Sequence, residues 1–242
     1  KSDPDKNILE CDISNFASIK LAHDIIKKKH DKIYALINVA GIASMNLAIA
    51  MPEDITRKII NTNLLGTIFL NQIFSPMLIR NKTGRIINFS TVAVKLAIKG
   101  ESVYTASKAG VESYSRTLAK ELSSFNITVN CIAPGPIKTD LTAGVTDKQI
   151  ENIISQQIIQ KQLHPSDVMD QVELLLSEKA KNITGEVIAI GGVWCYFLIH
   201  KNSMSFDYTL DKSPFVNSYF YENLKKIYGI NEFTKYSDKL SR

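Results

Sequence analysis

Cysteine is scarce in this sequence, and histidine is hardly commoner. The three cysteines, Cys11, Cys131 and Cys195, are odd in number and widely spaced. No Cys-x-x-Cys pair occurs, so neither a disulfide framework nor a thiolate zinc site is suggested. Reduced thiols in a cytoplasmic protein are the simplest account. The four histidines, His23, His30, His164 and His200, are scattered and make no ligand pattern, so no metal is expected. No apolar run approaches the roughly 20 residues of a membrane span. The longest candidate, residues 193–199, is far too short, and no membrane association is expected. No signal peptide is visible, although the chain starts at Lys1 rather than Met, which makes that absence weak evidence. A strong charge imbalance is missing too. The net charge is +5, with Lys and Arg mixed among acids. The densest run, Lys27, Lys28 and Lys29, falls at the end of an expected helix, where cations suit the macrodipole. There is no basic face with aromatic platforms, so no nucleic-acid partner is expected.

What remains is ordinary for a globular protein: 242 residues, 45% hydrophobic and 22% charged. That length fits one α/β domain, or one domain with an appendage. Apolar strands and amphipathic helices alternate along it. Residues 7–11 read as a short buried strand, and Ser14 as the cap of a helix with Phe16, Ile19, Ala22, Ile25 and Ile26 on one face. Residues 33–39 are a near-continuous apolar run, the mark of a strand covered on both faces. A long helix covers residues 53–80, a strand 85–89, a helix 102–124 and a strand 126–132. The polar stretch 138–161 holds one or two short helices. A helix begins at Ser166 or Asp167 and runs to about 177, and residues 186–190 form a last strand. Such alternation predicts a parallel sheet with helices on both faces. From residue 193 the rhythm stops. Residues 193–242 are rich in aromatics, with one candidate helix over 215–228, and read as a C-terminal extension.

In parallel sheets, ligands bind beyond the carboxyl ends of the strands. Several polar residues fall there. Tyr104 and Lys108 lie four apart near the start of a helix and share one face. A phenol ionises near pH 10. An ammonium about 4 Å away is worth roughly 4 kcal/mol at an effective dielectric of about 20. That would bring the phenol toward neutrality, ready to exchange a proton with a carbonyl or an alcohol. Alone, this spacing is a weak motif, since a surface Tyr and a solvated Lys are the commoner case. Around it, however, Asn38, Ala40 and Gly41 end one strand, and Ser90 and Thr91 end another. Thr91 lies thirteen residues before Tyr104. Pro134 and Gly135 end a further strand, and Asn63 lies within the long helix.

With those residues together, residues 7–192 resemble a classical short-chain dehydrogenase/reductase, close in pattern to the 3-oxoacyl-acyl-carrier-protein reductases. Asn38–Gly41 resembles the family's Asn-Asn-Ala-Gly, with Val39 for the second Asn. The resemblance implies a Rossmann-like parallel sheet over residues 1–192. It implies an NAD- or NADP-dependent enzyme that moves hydride between the nicotinamide and a carbonyl or alcohol substrate, with 3-oxoacyl thioesters among the candidates. It implies Tyr104 as general acid or base, Lys108 as its partner, and Thr91 as the hydroxyl that orients the substrate carbonyl, with Ser90 as second candidate for that place. Asn63 would hold a water toward Lys108. Asp12 and Ile13 would meet the adenine. Asn38, Ala40, Gly41, Tyr104, Lys108, Pro134, Gly135, Ile137 and Thr139 would contact the rest of the cofactor. It further implies a homodimer or homotetramer built on helices 53–80 and 102–124.

Two departures stand out. Thr91 replaces the family's Ser, which keeps the hydroxyl but restricts χ1. Ser90 and Thr91 cannot both serve, because strand neighbours point to opposite faces. The family's opening glycine-rich turn, whose N–H groups take the pyrophosphate, has no counterpart spacing in this sequence. The resemblance therefore implies a chain without its first two strand–helix units. Two readings stay open: an oxidoreductase in the intact parent, with no cofactor binding expected of these 242 residues alone, or a cofactor-free remnant with at most a structural or oligomerisation role.

Overall fold

The computed structural model describes residues 8–142 and 144–193. Its frame is a four-stranded parallel sheet in the order β1 (Ala35–Asn38), β2 (Gly84–Phe89), β3 (Ile127–Pro134), β4 (Val187–Ile190). The register is tight, with Asn38 opposite Asn88 and Asn88 opposite Cys131. Because all strands run the same way, their carboxyl ends lie along one edge.

Strand alternation sorts the core. On β2, Ile86 packs with Leu78, Leu118, Leu122 and Val129 on one face. Ile87 packs with Ile132, Val168, Val172 and Leu175 on the other. The first face is covered by α3 (Gly66–Asn81) and α5 (Ser102–Leu122), the second by α7 (Pro165–Leu176). The α1 helix (Phe16–Lys29) leans on α3 through Ile19, Phe74 and Met77. Helices on both faces of a parallel sheet are what the apolar strands required.

Several local expectations need correction. The first helix is capped by Asn15, whose side-chain oxygen accepts from the N–H groups of Ala17 and Ser18. Ser14 instead donates its hydroxyl to Asp12. The strand expected over residues 7–11 is reduced, among the described residues, to a single bridge at Ile8. Past Ile8 the described residues 9–11 are not in strand conformation. Ile37 in β1 and Val39 just past its end remain exposed, so this apolar run is not covered on both faces by the described residues. The last helix starts at Pro165, with the Asp167 carboxylate accepting from the His164 N–H. A short helix, α4 (Ala93–Leu96), was not legible. In the polar stretch lies α6 (Asp147–Ser155), closed at its start by a Thr146–Gln149 capping box. The expected helix over 215–228 lies outside the described residues.

The long helix over 53–80 is not one regular α-helix. It runs as α2 (Glu53–Ile59), a π-helical segment Ile60–Leu65, and α3. A π segment widens the turn and marks functional sites. Asn63 sits in this one and is fully buried.

At the carboxyl edge, Gly135 and Gly191 close on Gln157, which leads out of α6 and bridges to Val193. A Cβ built on Gly135 would overlap the Gln157 carboxamide oxygen. Gln157 is buried, and both polar atoms of its side chain lack a hydrogen-bond partner. Overpacking of this kind costs about 1–3 kcal/mol. Gly135→Ala should therefore lower stability by that amount in thermal or urea unfolding. In a double-mutant cycle with Gln157→Ala, much of the loss should be recovered. Additive losses would show that the two do not share the space.

Candidate active site

The carboxyl ends of β2 and β3 open onto a cavity of about 580 Å³. Its walls include Phe89, Thr91, Tyr104, Lys108, Pro134 and Ile137, and its far side Ile153, Val168 and Met169. The lining is predominantly apolar.

Helix α5 brings the polar groups to it. Tyr104 and Lys108 are one turn apart on the buried face and are 8% and 4% exposed. The Lys108 ammonium donates to the Phe89 carbonyl at 2.8 Å. The Thr91 hydroxyl acts on the Tyr104 phenol in favour of its ionised form, and both residues line the cavity. It also accepts from the Ala93 N–H at 3.2 Å. The Ser90 hydroxyl donates to Glu112 at 2.6 Å. Both residues line the cavity, but the Ser90 hydroxyl is committed to Glu112, and Thr91 is the one that acts on Tyr104.

Asn63 ties the loop after β1 to this helix. Its amide donates to the Ile42 carbonyl at 2.9 Å and to Ser107 at 3.1 Å, and its oxygen accepts from the Ile42 N–H at 2.8 Å. Ser107 in turn donates to the Tyr104 carbonyl at 2.6 Å. A Cβ on Gly41 would lie 3.3 Å from both the Asn63 oxygen and the Lys108 nitrogen. Glycine therefore keeps the space between them open.

The other expected contacts divide. Pro134, Gly135, Ile137 and Thr139 line the same cavity. Asn38 turns inward, donating to Asn88 at 2.7 Å, and lines with Ala40 and Ile13 a second cavity of about 450 Å³ beside β1. The Asp12 carboxylate accepts from the N–H and hydroxyl of Ser14. Those two bonds hold it below the usual carboxylate range. Among the described residues, no three His, Cys, Asp or Glu side chains gather as a metal site.

The electrostatics reverse one expectation. The Tyr104 phenol is pushed up to about 12, first by burial and then by the Glu101 carboxylate, with the Thr91 hydrogen bond pulling the other way. Lys108 is pulled down to about 8 by burial. The lysine does not lower the phenol here, because its ammonium is directed at the Phe89 carbonyl and is itself desolvated. Glu101 was missed in the sequence. It stands three residues before Tyr104, so the first turn of the helix brings them together, a spacing that could have flagged it.

Comparison with known proteins agrees with this geometry. A family model described as enoyl-(acyl carrier protein) reductase matches residues 1–193. The 3-oxoacyl-[acyl-carrier-protein] reductase FabG of Staphylococcus aureus is 32% identical over 188 residues, 78% of this chain and 76% of that protein. The same-named protein of Staphylococcus epidermidis is 33% identical over 192 residues, 79% of this chain and 73% of that protein. The 3-oxoacyl-[acyl-carrier-protein] reductase MabA of Mycobacterium tuberculosis is 35% identical over 185 residues, 76% and 74% of the two chains.

The lysine shift has a measurable consequence. A lysine pulled down to about 8 loses its proton between pH 7 and 9, two units before a surface lysine. The sign follows from burial, which disfavours the charged form. Below that range the folded state carries a buried charge, so Lys108→Met should raise stability more at pH 6 than at pH 9. NMR titration of the lysine side chains should show one amine with a midpoint near 8 that disappears in Lys108→Met. A midpoint at the ordinary lysine value would contradict the assignment.

Proposed function

Because this chain belongs to the short-chain dehydrogenase/reductase family, we propose that it is an NAD- or NADP-dependent oxidoreductase that reduces a carbonyl to an alcohol or runs the reverse. A 3-oxoacyl thioester is the substrate class we favour, after the printed names of its relatives. The observation that carries the reading is the convergence of two hydroxyls, Thr91 and Tyr104, on one wall of an apolar cavity with Lys108 behind them.

In this reading a carbonyl oxygen lies between the two hydroxyls. Thr91 donates to it and fixes its direction. Tyr104 donates the proton as the oxygen gains charge, which general acid catalysis makes worth about 10²–10⁴-fold. The raised phenol suits the reducing direction, since the proton is present at any physiological pH. The apolar walls exclude water and strengthen both hydrogen bonds.

The residues present fit the nicotinamide end of the cofactor. Glycine at 41 leaves room beside Lys108 and Asn63, and Pro134, Gly135, Ile137 and Thr139 form the facing wall. A bound nicotinamide supplies the hydride. Lys108 would hold its ribose, and the space under Gly41 would take a water between Asn63 and Lys108. Asp12 and Ile13 belong to the adenine end of the same reading, and Asn38 and Ala40 to the passage between. No residue is assigned to the diphosphate. The place of action is the cytoplasm, consistent with Cys11 and Cys131 as free thiols. No helix of the described residues is long and apolar enough to cross a membrane.

The test is the rate of NADPH or NADH oxidation with a small 3-oxoacyl thioester. Tyr104→Phe should cut kcat by about 10²–10⁴-fold with KM little changed. Thr91→Ser should keep most of the rate, and Thr91→Val should lose it. Undiminished turnover in Tyr104→Phe, or no turnover of any carbonyl compound by the unaltered protein with either cofactor, would contradict the reading.

A further inference from the structure

The carbonyl-reducing cavity has one ionisable wall group outside the Tyr104–Lys108 pair. Of its lining residues, only Glu101, Tyr104 and Lys108 titrate. Glu101 occupies the N-cap position of α5, yet its carboxylate makes no cap hydrogen bond there. Only its backbone is engaged: the carbonyl accepts from the Thr105 N–H at 2.8 Å and from the Thr105 hydroxyl at 2.9 Å. Among the described residues the carboxylate has no ion pair and no hydrogen bond. It lines the cavity together with Val92, Ala93 and Tyr104. Burial raises its titration, and its charge is felt at the Tyr104 phenol.

An unpaired carboxylate in such a wall must act on whatever enters. Lys108 does not neutralise it. The lysine lies more than a turn further along α5, nearly enclosed, with its nitrogen on the Phe89 carbonyl. A 3-oxo acid places its own carboxylate two carbons from the carbonyl that Tyr104 must reach. In a cavity of low polarity, two like charges so close repel strongly. A thioester, ester or amide of the same acid carries no such charge.

We propose that Glu101 selects the substrate of this cavity by charge, admitting 3-oxo compounds whose carboxyl end is masked as a neutral ester or thioester and rejecting the free acids. The selection rests on the carbonyl-reductase reading of the site and names which carbonyl compounds that site takes. It assigns Glu101 no part in proton transfer. The N-terminal end of a helix tolerates a carboxylate, which explains how the charge can be kept there without a partner.

The experiment compares methyl acetoacetate with acetoacetate, which share the reacting carbonyl and differ in charge. Dissociation constants are read by NMR titration of the unaltered protein at pH 7, following signals of Thr91 and Tyr104, with no turnover needed. The ester should bind more tightly by about tenfold or more. Glu101→Gln and Glu101→Ala should bring the two compounds to near parity by tightening the acid more than the ester. The same shift should appear in the kcat/KM ratio of the two compounds. If the ester binds and its preference persists in both variants, Glu101 is not the selector, while the carbonyl-site reading stands. If the acid binds the unaltered protein as well as the ester does, the selection does not exist. If neither compound perturbs Thr91 or Tyr104, the carbonyl-site reading fails and the proposal with it.

Discussion

The arrangement depends on how one helix docks on the end of one strand. Tyr104, Lys108 and Glu112 follow at intervals of four along α5, so they form a single buried stripe. The stripe meets three successive residues of β2 and its continuation. Lys108 binds the carbonyl of Phe89, Glu112 binds the hydroxyl of Ser90, and Tyr104 faces the hydroxyl of Thr91. Each of these contacts would tolerate little sliding. Together they fix the helix against the strand end and commit the Ser90 hydroxyl to Glu112. A loop could reach the same place, but only a helix packed on a strand holds it to within a fraction of an ångström.

Behind that stripe the interior is unusually polar. Asn38 and Asn71 both donate to Asn88, which donates to Ser115. Thr67 and Ser75 return hydroxyls to the helix backbone at Asn63 and Asn71. Buried groups of this kind cost free energy unless paired, and paired they define one arrangement among many that an apolar core would accept. The unpaired exceptions include the Asn71 oxygen and both polar atoms of Gln157. Gln157 lies where the two glycines of the carboxyl edge converge, so tight packing there carries a polar cost.

Much of this was legible in the sequence, for definite reasons. The strands 85–89 and 126–132 are apolar because they are covered on both faces, and they appear within two residues of their expected bounds. The spacing of Tyr104 and Lys108 reads directly as one helix face. Thr91 was the candidate from the family's register and its thirteen-residue gap to Tyr104. Other features depend on tertiary contact and leave no local trace. The π segment at Ile60–Leu65 carries weak helix formers in Asn61, Thr62 and Asn63, but nothing in them specifies a wider turn. Whether Ser14 or Asn15 caps a helix turns on Asp12 claiming the serine. The direction of the Tyr104 shift depends on burial and on Glu101 outweighing a lysine whose charge is directed elsewhere. Spacing alone gave the distance between the two groups but not the medium between them.

The central claim is that Thr91 and Tyr104 hold one oxygen between them while Ser90 is spent on Glu112. A crystal structure of the protein soaked with a neutral 3-oxo ester measures this most directly. The account predicts the ketone oxygen within hydrogen-bond reach, about 2.6–3.2 Å, of both the Thr91 and the Tyr104 hydroxyl, with Ser90 still on the Glu112 carboxylate. A ketone oxygen held by Ser90, or bound in the cavity away from Tyr104, would contradict it.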